Sequence, residues 1–134
     1  MDDAIRAFVW ERAGSRCEYC LLHQDDYGYQ VFHVEHIIAK QHGGDDDTEN
    51  LCVACSECNW AKGPNLAGLL EGKLFPLFHP RRQKWERHFR WDGTTLVGKT
   101  KSGIVTVQVL DMNNVSRIML RENLLFEGRF PPKK

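Results

Sequence analysis

Apolar residues at two different periods divide the first third of the chain. In "AIRAFVWERAG", Ile5, Phe8, Val9 and Arg12 recur at helical spacing, Asp2 or Asp3 is placed to cap the start, and Gly14 to end it, which predicts an opening helix. "YQVFHVEHI" alternates instead. It predicts a strand with Val31, His33, Glu35 and Ile37 on one face and Phe32, Val34 and His36 on the other. "DDYGY" before it and "KQHGGDDDTEN" after it read as loops, because paired glycines and an acidic run offer no face to bury. "LCVACSECNWAKG" predicts a short strand or turn leading into a helix, and "GPNLAG" a connector.

The second half is less regular. "PLFHPRRQKWERHFRW" is aromatic and basic, with helix expected from Arg82 to about Phe89. "TTLVG" suggests a strand. "GIVTVQVLDMN" is rich in β-branched residues and by local preference also reads as a strand. "VSRIMLRENLL" spaces Ile118, Leu120, Leu124 and Leu125 as an amphipathic helix, and "RFPPKK" reads as a disordered tail.

At 134 residues the chain is expected to form one domain with a modest core. No signal peptide or membrane span is visible, so a cytoplasmic location is the expectation. In that compartment cysteines are more often metal ligands than disulfides. The net charge of zero conceals an asymmetry. Residues 1–61 carry four basic residues against twelve acids, a net −8, and residues 62–134 carry fourteen against six, a net +8. One reading is surface charge that happens to be unevenly spread. The other is an acidic metal-binding half beside a basic half that meets a polyanion.

The cysteines sharpen that choice. Cys17 and Cys20 form one C-x-x-C and Cys55 and Cys58 another, 34 residues further on. Each pair can grip two vertices of a tetrahedral zinc from one tight turn, so the expectation is a structural zinc that pins two distant segments together. A redox pair or scattered buried thiols is the alternative, but no thioredoxin-like βαβ pattern accompanies the motif. Cys52 also lies three before Cys55. Its apolar surroundings in "NLCVA" suggest a buried free thiol.

Between the pairs stand "VEHI", a Gly-Gly loop and "ENL", with Asn59 directly after the last cysteine and Lys62 three residues later. The pattern E-H-I…G-G…N-L-x-x-x-C-x-x-C-N-x-x-K-G resembles the HNH nuclease family over residues 15–63, in its zinc-stapled branch. "NLAG", "LFHPRRQKWERHFRW" and "VTVQVLDMN" extend the resemblance to a bacterial subgroup in which the last of these segments is helical. The resemblance implies a ββα-metal core. It implies His36 as general base, Glu35 as acidic metal ligand, Asn50 as the residue that fixes the loop and orients the base, and Asn59 as the second ligand. The family often has proline where this chain has Ala39, and more often aspartate where it has Glu35.

The chemistry these residue types could perform is coherent. Phosphodiester hydrolysis needs a deprotonated water and a counter-charge for the developing oxyanion. Histidine can take a proton near neutral pH, and a cation with few protein ligands keeps sites open for phosphate. Glutamate and asparagine oxygens suit magnesium or manganese better than thiolates do. Neighbours on a regular strand diverge, so a shared site for Glu35 and His36 requires the strand to end or bend there. Other residues have plainer readings: His33 as support, His42 and Asp45, Asp46 and Asp47 as a solvated loop, and Trp60, Trp85 and Trp91 as core or lid rather than base-stacking platforms. Gly43 and Gly44 are too weak a pattern for a phosphate site.

The expected fold class is thus α+β: a zinc-stapled ββα-metal core at 15–63, an N-terminal helix, and a basic, mainly helical extension at 64–134. The expected function is a metal-dependent DNA endonuclease with structural zinc, catalytic magnesium or manganese, and no small-molecule cofactor or membrane partner. Lys62, Arg81, Arg82, Lys84, Arg87 and Arg90 are the expected backbone-contacting cations, and low sequence specificity or nicking is expected because no reader module is recognisable. A non-catalytic zinc module that binds nucleic acid or protein is the runner-up, and a cysteine redox protein a weaker third.

Overall fold

A computed structural model describes residues 1–28 and 30–132; Tyr29, Lys133 and Lys134 lie outside the described residues, and with them the start of the alternating segment and the end of the tail. Helix α1 runs over Asp3–Ala13, capped by the Asp2 carboxylate, which accepts from the Ile5 amide, and closed by Gly14 in the left-handed conformation. Strand β1 is shorter than the alternation predicts, His33–His36, and pairs antiparallel with β2, Leu51–Ala54, in the register His33–Ala54, Glu35–Cys52 and His36–Leu51. Every residue of β2 is buried, because α1 packs on the hairpin and covers the face that a solvated strand would leave polar. Helix α2, Ser56–Lys62, follows at once and leans on β1, completing a ββα unit.

Within the extension a hairpin appears where a connector was expected, and the strand expected at "TTLVG" forms as half of a second hairpin. Ala67–Leu70 (β3) pairs with Lys73–Pro76 (β4), turning through Glu71 and Gly72, both at positive φ as a tight two-residue hairpin requires. The helix expected from Arg82 shrinks to α3, Trp85–His88, and the chain continues as β5, Phe89–Asp92, paired with β6, Thr95–Gly98. The two-residue turn of this second hairpin is Gly93-Thr94, with Gly93 at positive φ in the first position, where such a turn calls for glycine.

The β-branched segment is helix α4, Lys101–Val109, capped by Thr100 Oγ1, which accepts from the Gly103 amide at 3.0 Å. Tertiary packing overrides the local preference. Gly103, Val105 and Thr106 are buried against β3 and β6, and a Cβ on Gly98 would stand 2.3 Å from the Ile104 nitrogen, so β6 admits the helix only through glycine. Helix α5, Val115–Phe126, then brings Arg117 back to the cysteines. The described part of the tail is not disordered as expected: Phe130 is buried edge-on against Trp91, and Arg129 ion-pairs with Asp26. No helix among the described residues is long and apolar enough to cross a membrane.

Candidate active site and metal centre

The two C-x-x-C turns, one after α1 and one entering α2, converge. The sulfurs of Cys17, Cys20, Cys55 and Cys58 all lie within 4.8 Å of one another, and each residue is fully buried. Cys20 Sγ and Cys55 Sγ are 3.9 Å apart, close to the roughly 3.8 Å edge of a tetrahedron with metal–sulfur bonds of about 2.3 Å. The Cys20 amide donates to Cys17 Sγ and the Cys58 amide to Cys55 Sγ, at 3.4 and 3.3 Å. Burial pushes the Cys17 and Cys58 thiols well up, so keeping these two ionised calls for a cation. The donor set fits a tetrahedral soft-metal ion such as zinc.

Two residues that the sequence reading missed complete this centre. Arg117, buried on α5, donates from Nη2 to Cys58 Sγ at 2.9 Å and from Nη1 to the Leu110 carbonyl at 3.0 Å, and pairs with Glu57 at 3.2 Å. The Tyr27 hydroxyl lies 3.8 Å from Cys20 Sγ and 3.7 Å from Cys55 Sγ. Neither carries a spacing signal: Arg117 arrives from 59 positions away, and Tyr27, seven residues after Cys20, reaches the sulfurs only through the fold of the loop between them. Cys52 stands apart on β2, its sulfur 3.8 Å from the Tyr19 hydroxyl, with burial pushing its thiol up to about 12.

A cleft of about 480 Å³ opens on the ββα unit, lined in part by Glu35, His36, Lys40, Asn59 and Trp60. Strand β1 ends at His36, and both Glu35 and His36 reach the cleft wall. From α2, Asn59 Nδ2 donates to Glu35 Oε1 at 3.0 Å. The carboxylate and the amide side chain thus face each other, an all-oxygen pair once the amide presents its carbonyl, which suits a hard divalent cation.

Asn50 does not enter the cleft. It is buried behind it, where its Oδ1 accepts from the Ile38 amide at 2.9 Å and its Nδ2 donates to the carbonyls of Ile38 and Asp45 at 3.0 and 2.9 Å. It therefore ties both ends of the loop that follows His36. Gly44 belongs to the same clasp: a Cβ there would lie 1.7 Å from the Ile38 carbonyl oxygen. Ala39, at φ −61°, already holds the angle that proline would impose.

The acidic run is not simply a solvated turn. Asp46 Oδ1 lies 2.7 Å from His36 Nε2 and 3.5 Å from Lys40 Nζ, and the His36 contact holds the Asp46 carboxyl down at about 2. His33 is exposed at the start of β1, outside the cleft lining. Two of the expected DNA-contacting cations are engaged inside the fold. Lys62 is buried, with Nζ donating to the Ile37 carbonyl at 2.9 Å, and Arg81 is paired with Glu18. Lys62 is needed to satisfy a strand-end carbonyl, and Arg81 to balance a half-buried acid, so neither reaches outward. Arg82, Lys84, Arg87 and Arg90 remain exposed.

Residues 17–65, the span of both cysteine pairs and the cleft, match the sequence pattern of the HNH endonuclease family. These residues form an HNH domain. The wider chain is similar to the Septu protein PtuB of Bacillus thuringiensis, 26% identical over 129 residues, which is 90% of this chain and 46% of that protein. The chain thus spans about half the length of the curated relative it matches. The family matched by residues 17–65 is one of endonucleases, and the four-cysteine cluster in that span is placed so that it could hold a metal ion.

Proposed function

We propose that the HNH domain hydrolyses phosphodiester bonds in DNA. The observation that carries the reading is the meeting of Glu35 from β1 and Asn59 from α2 at 3.0 Å on the wall that also holds His36. In this reading Glu35 and Asn59 hold a magnesium or manganese ion, and the four cysteines hold zinc. The hard cation, when bound, supplies positive charge to the scissile phosphate and its leaving oxygen.

The protein's own residues do the rest. Asp46 accepts from His36 Nε2, which fixes the ring and leaves Nδ1 with the free lone pair. His36 Nδ1 takes the proton of the attacking water. Asn50 and Gly44 hold the loop that carries Asp46, so the orientation of the base depends on a clasp behind the cleft. Arg82, Lys84, Arg87 and Arg90 supply exposed positive charge for the phosphate backbone, which positions DNA without reading its sequence.

The test is supercoiled-plasmid nicking in magnesium and in manganese, at matched zinc content. His36→Ala should lower cleavage by on the order of a hundredfold to ten-thousandfold, as loss of a positioned base does. Glu35→Ala should be partly rescued by excess metal, whereas His36→Ala should not. Equal rates for wild type and His36→Ala at saturating metal would sink the catalytic reading and leave a zinc-bearing binding module.

A further inference from the structure

Trp60 is not the core residue that was one expectation for it. It is 90% exposed, while Trp85 and Trp91 pack against each other and against Phe89 and Phe130. Of the large apolar side chains that the described residues leave exposed, Trp60 alone lines the cleft that holds Glu35, His36 and Asn59. It follows Asn59 directly on α2, so one short helix sets both a candidate metal ligand and the indole.

Tryptophan is no better a helix former than many polar residues, so α2 gains little from a solvated indole. The cleft lining combines polar side chains, Glu35, His36, Lys40 and Asn59, with apolar surface from Ala39, Ala54, Pro64 and Trp60. A nucleotide has the same division, an anionic phosphate joined to a flat aromatic base. In a duplex both faces of each base are covered by its neighbours. An exposed indole can therefore reach a base face only where the strand is single or locally unpaired.

We propose that Trp60 stacks on an unpaired nucleobase beside the phosphate held in the cleft, so that the substrate class is single-stranded or locally unpaired nucleic acid. This rests on the nuclease reading only in taking that phosphate as the one cleaved; stacking itself does not need cleavage.

The experiment measures binding apart from chemistry. The metal-loaded 134-residue chain carrying His36→Ala is titrated into end-labelled oligothymidine and into a blunt duplex of the same length, by anisotropy. Adding Trp60→Ala should weaken single-strand binding by about tenfold to a hundredfold, the usual worth of one base–aromatic stack. Trp60→Tyr should recover most of it, and duplex binding should change little. An oligonucleotide with one abasic position should show a smaller loss with Trp60→Ala than the intact strand does. The ring is exposed, so the substitution should leave zinc content and circular dichroism unchanged. Undiminished single-strand binding by Trp60→Ala, an equal loss on duplex, or no single-strand binding at all would overturn the inference. Trp60-dependent binding by a wild-type chain that cleaves nothing would instead overturn the nuclease reading alone.

Discussion

The guanidinium of Arg117 lies 2.9 Å from the sulfur of Cys58, although the two residues are 59 positions apart. The contact joins the last helix of the extension to the metal-binding cluster of the HNH domain. Four thiolates around a divalent ion carry a net charge of about −2, and Arg117 is the buried cation placed against it. Arg117→Met should therefore speed zinc loss to a chelator by about tenfold or more, the usual scale for partners just outside a metal's ligands. Arg117→Lys should retain part of the effect, since it keeps charge but loses the planar fork. Zinc release followed by a colorimetric chelator checks both.

Cys52 should behave unlike the other four cysteines. Burial holds its thiol at about 12, far above the range in which it would ionise at neutral pH. Cys52→Ala should keep one zinc per chain, while Ser at Cys17, Cys20, Cys55 or Cys58 should lose zinc and lower thermal stability sharply. Metal content by mass spectrometry decides this. Loss of zinc from Cys52→Ala with retention in Cys55→Ser would reassign the ligands.

Asp46 should prove to be a positioning residue. Asp46→Asn keeps an oxygen acceptor for His36 but removes the charge, so kcat should fall while KM and metal affinity stay near wild type. Asp46→Glu should restore little, because its longer arm displaces the contact now at 2.7 Å. The carboxyl also carries a pH signature. The hydrogen bond with His36 depresses it from 3.8 to about 2 in the folded chain. The native state therefore binds fewer protons here than the unfolded state, so stability rises with pH in this window. That contribution is present above about pH 4 and is lost as pH falls through about 2. A carbon-detected NMR titration of the Asp46 carboxyl gives the midpoint directly.

The clasp behind the cleft should be separable from the zinc. Asn50→Ala strips partners from the Ile38 amide and the Ile38 and Asp45 carbonyls, costing about 2 kcal/mol or more. Gly44→Ala must push the loop away from Ile38. Both variants should lose cleavage and melt earlier while still holding zinc. Calorimetry with metal analysis checks this, and wild-type melting in both would remove the clasp from the account.

The candidate site was legible in the sequence where it rests on short spacings. Two C-x-x-C turns and the adjacent Glu35-His36 pair are local patterns, and the strand end needed to bring both side chains to one site is what β1 does at His36. The start and stop of α1 were equally readable, because Asp2 and Gly14 act on backbone groups within a few residues of themselves. The α4 segment was read two ways. Its β-branched composition pointed to strand and the family resemblance to helix, and packing on β3 and β6 decided for helix.

By itself the sequence determined the two C-x-x-C turns and the residue types of the cleft, because each depends on groups a few positions apart, while the ββα order followed from the family resemblance. Only the tertiary structure decided which charges reach outward and which are held. Lys62 and Arg81 belong to the same basic half as Arg82, yet a strand-end carbonyl claims one and Glu18 the other. Arg117, Tyr27 and Asp46 acquire their roles from neighbours brought in by folding, and Trp60 acquires its role from having none to cover it. Charge and aromatic content are properties of the chain, but burial and partner are properties of the space it encloses. An ammonium, a carboxylate or an indole acts according to the second pair.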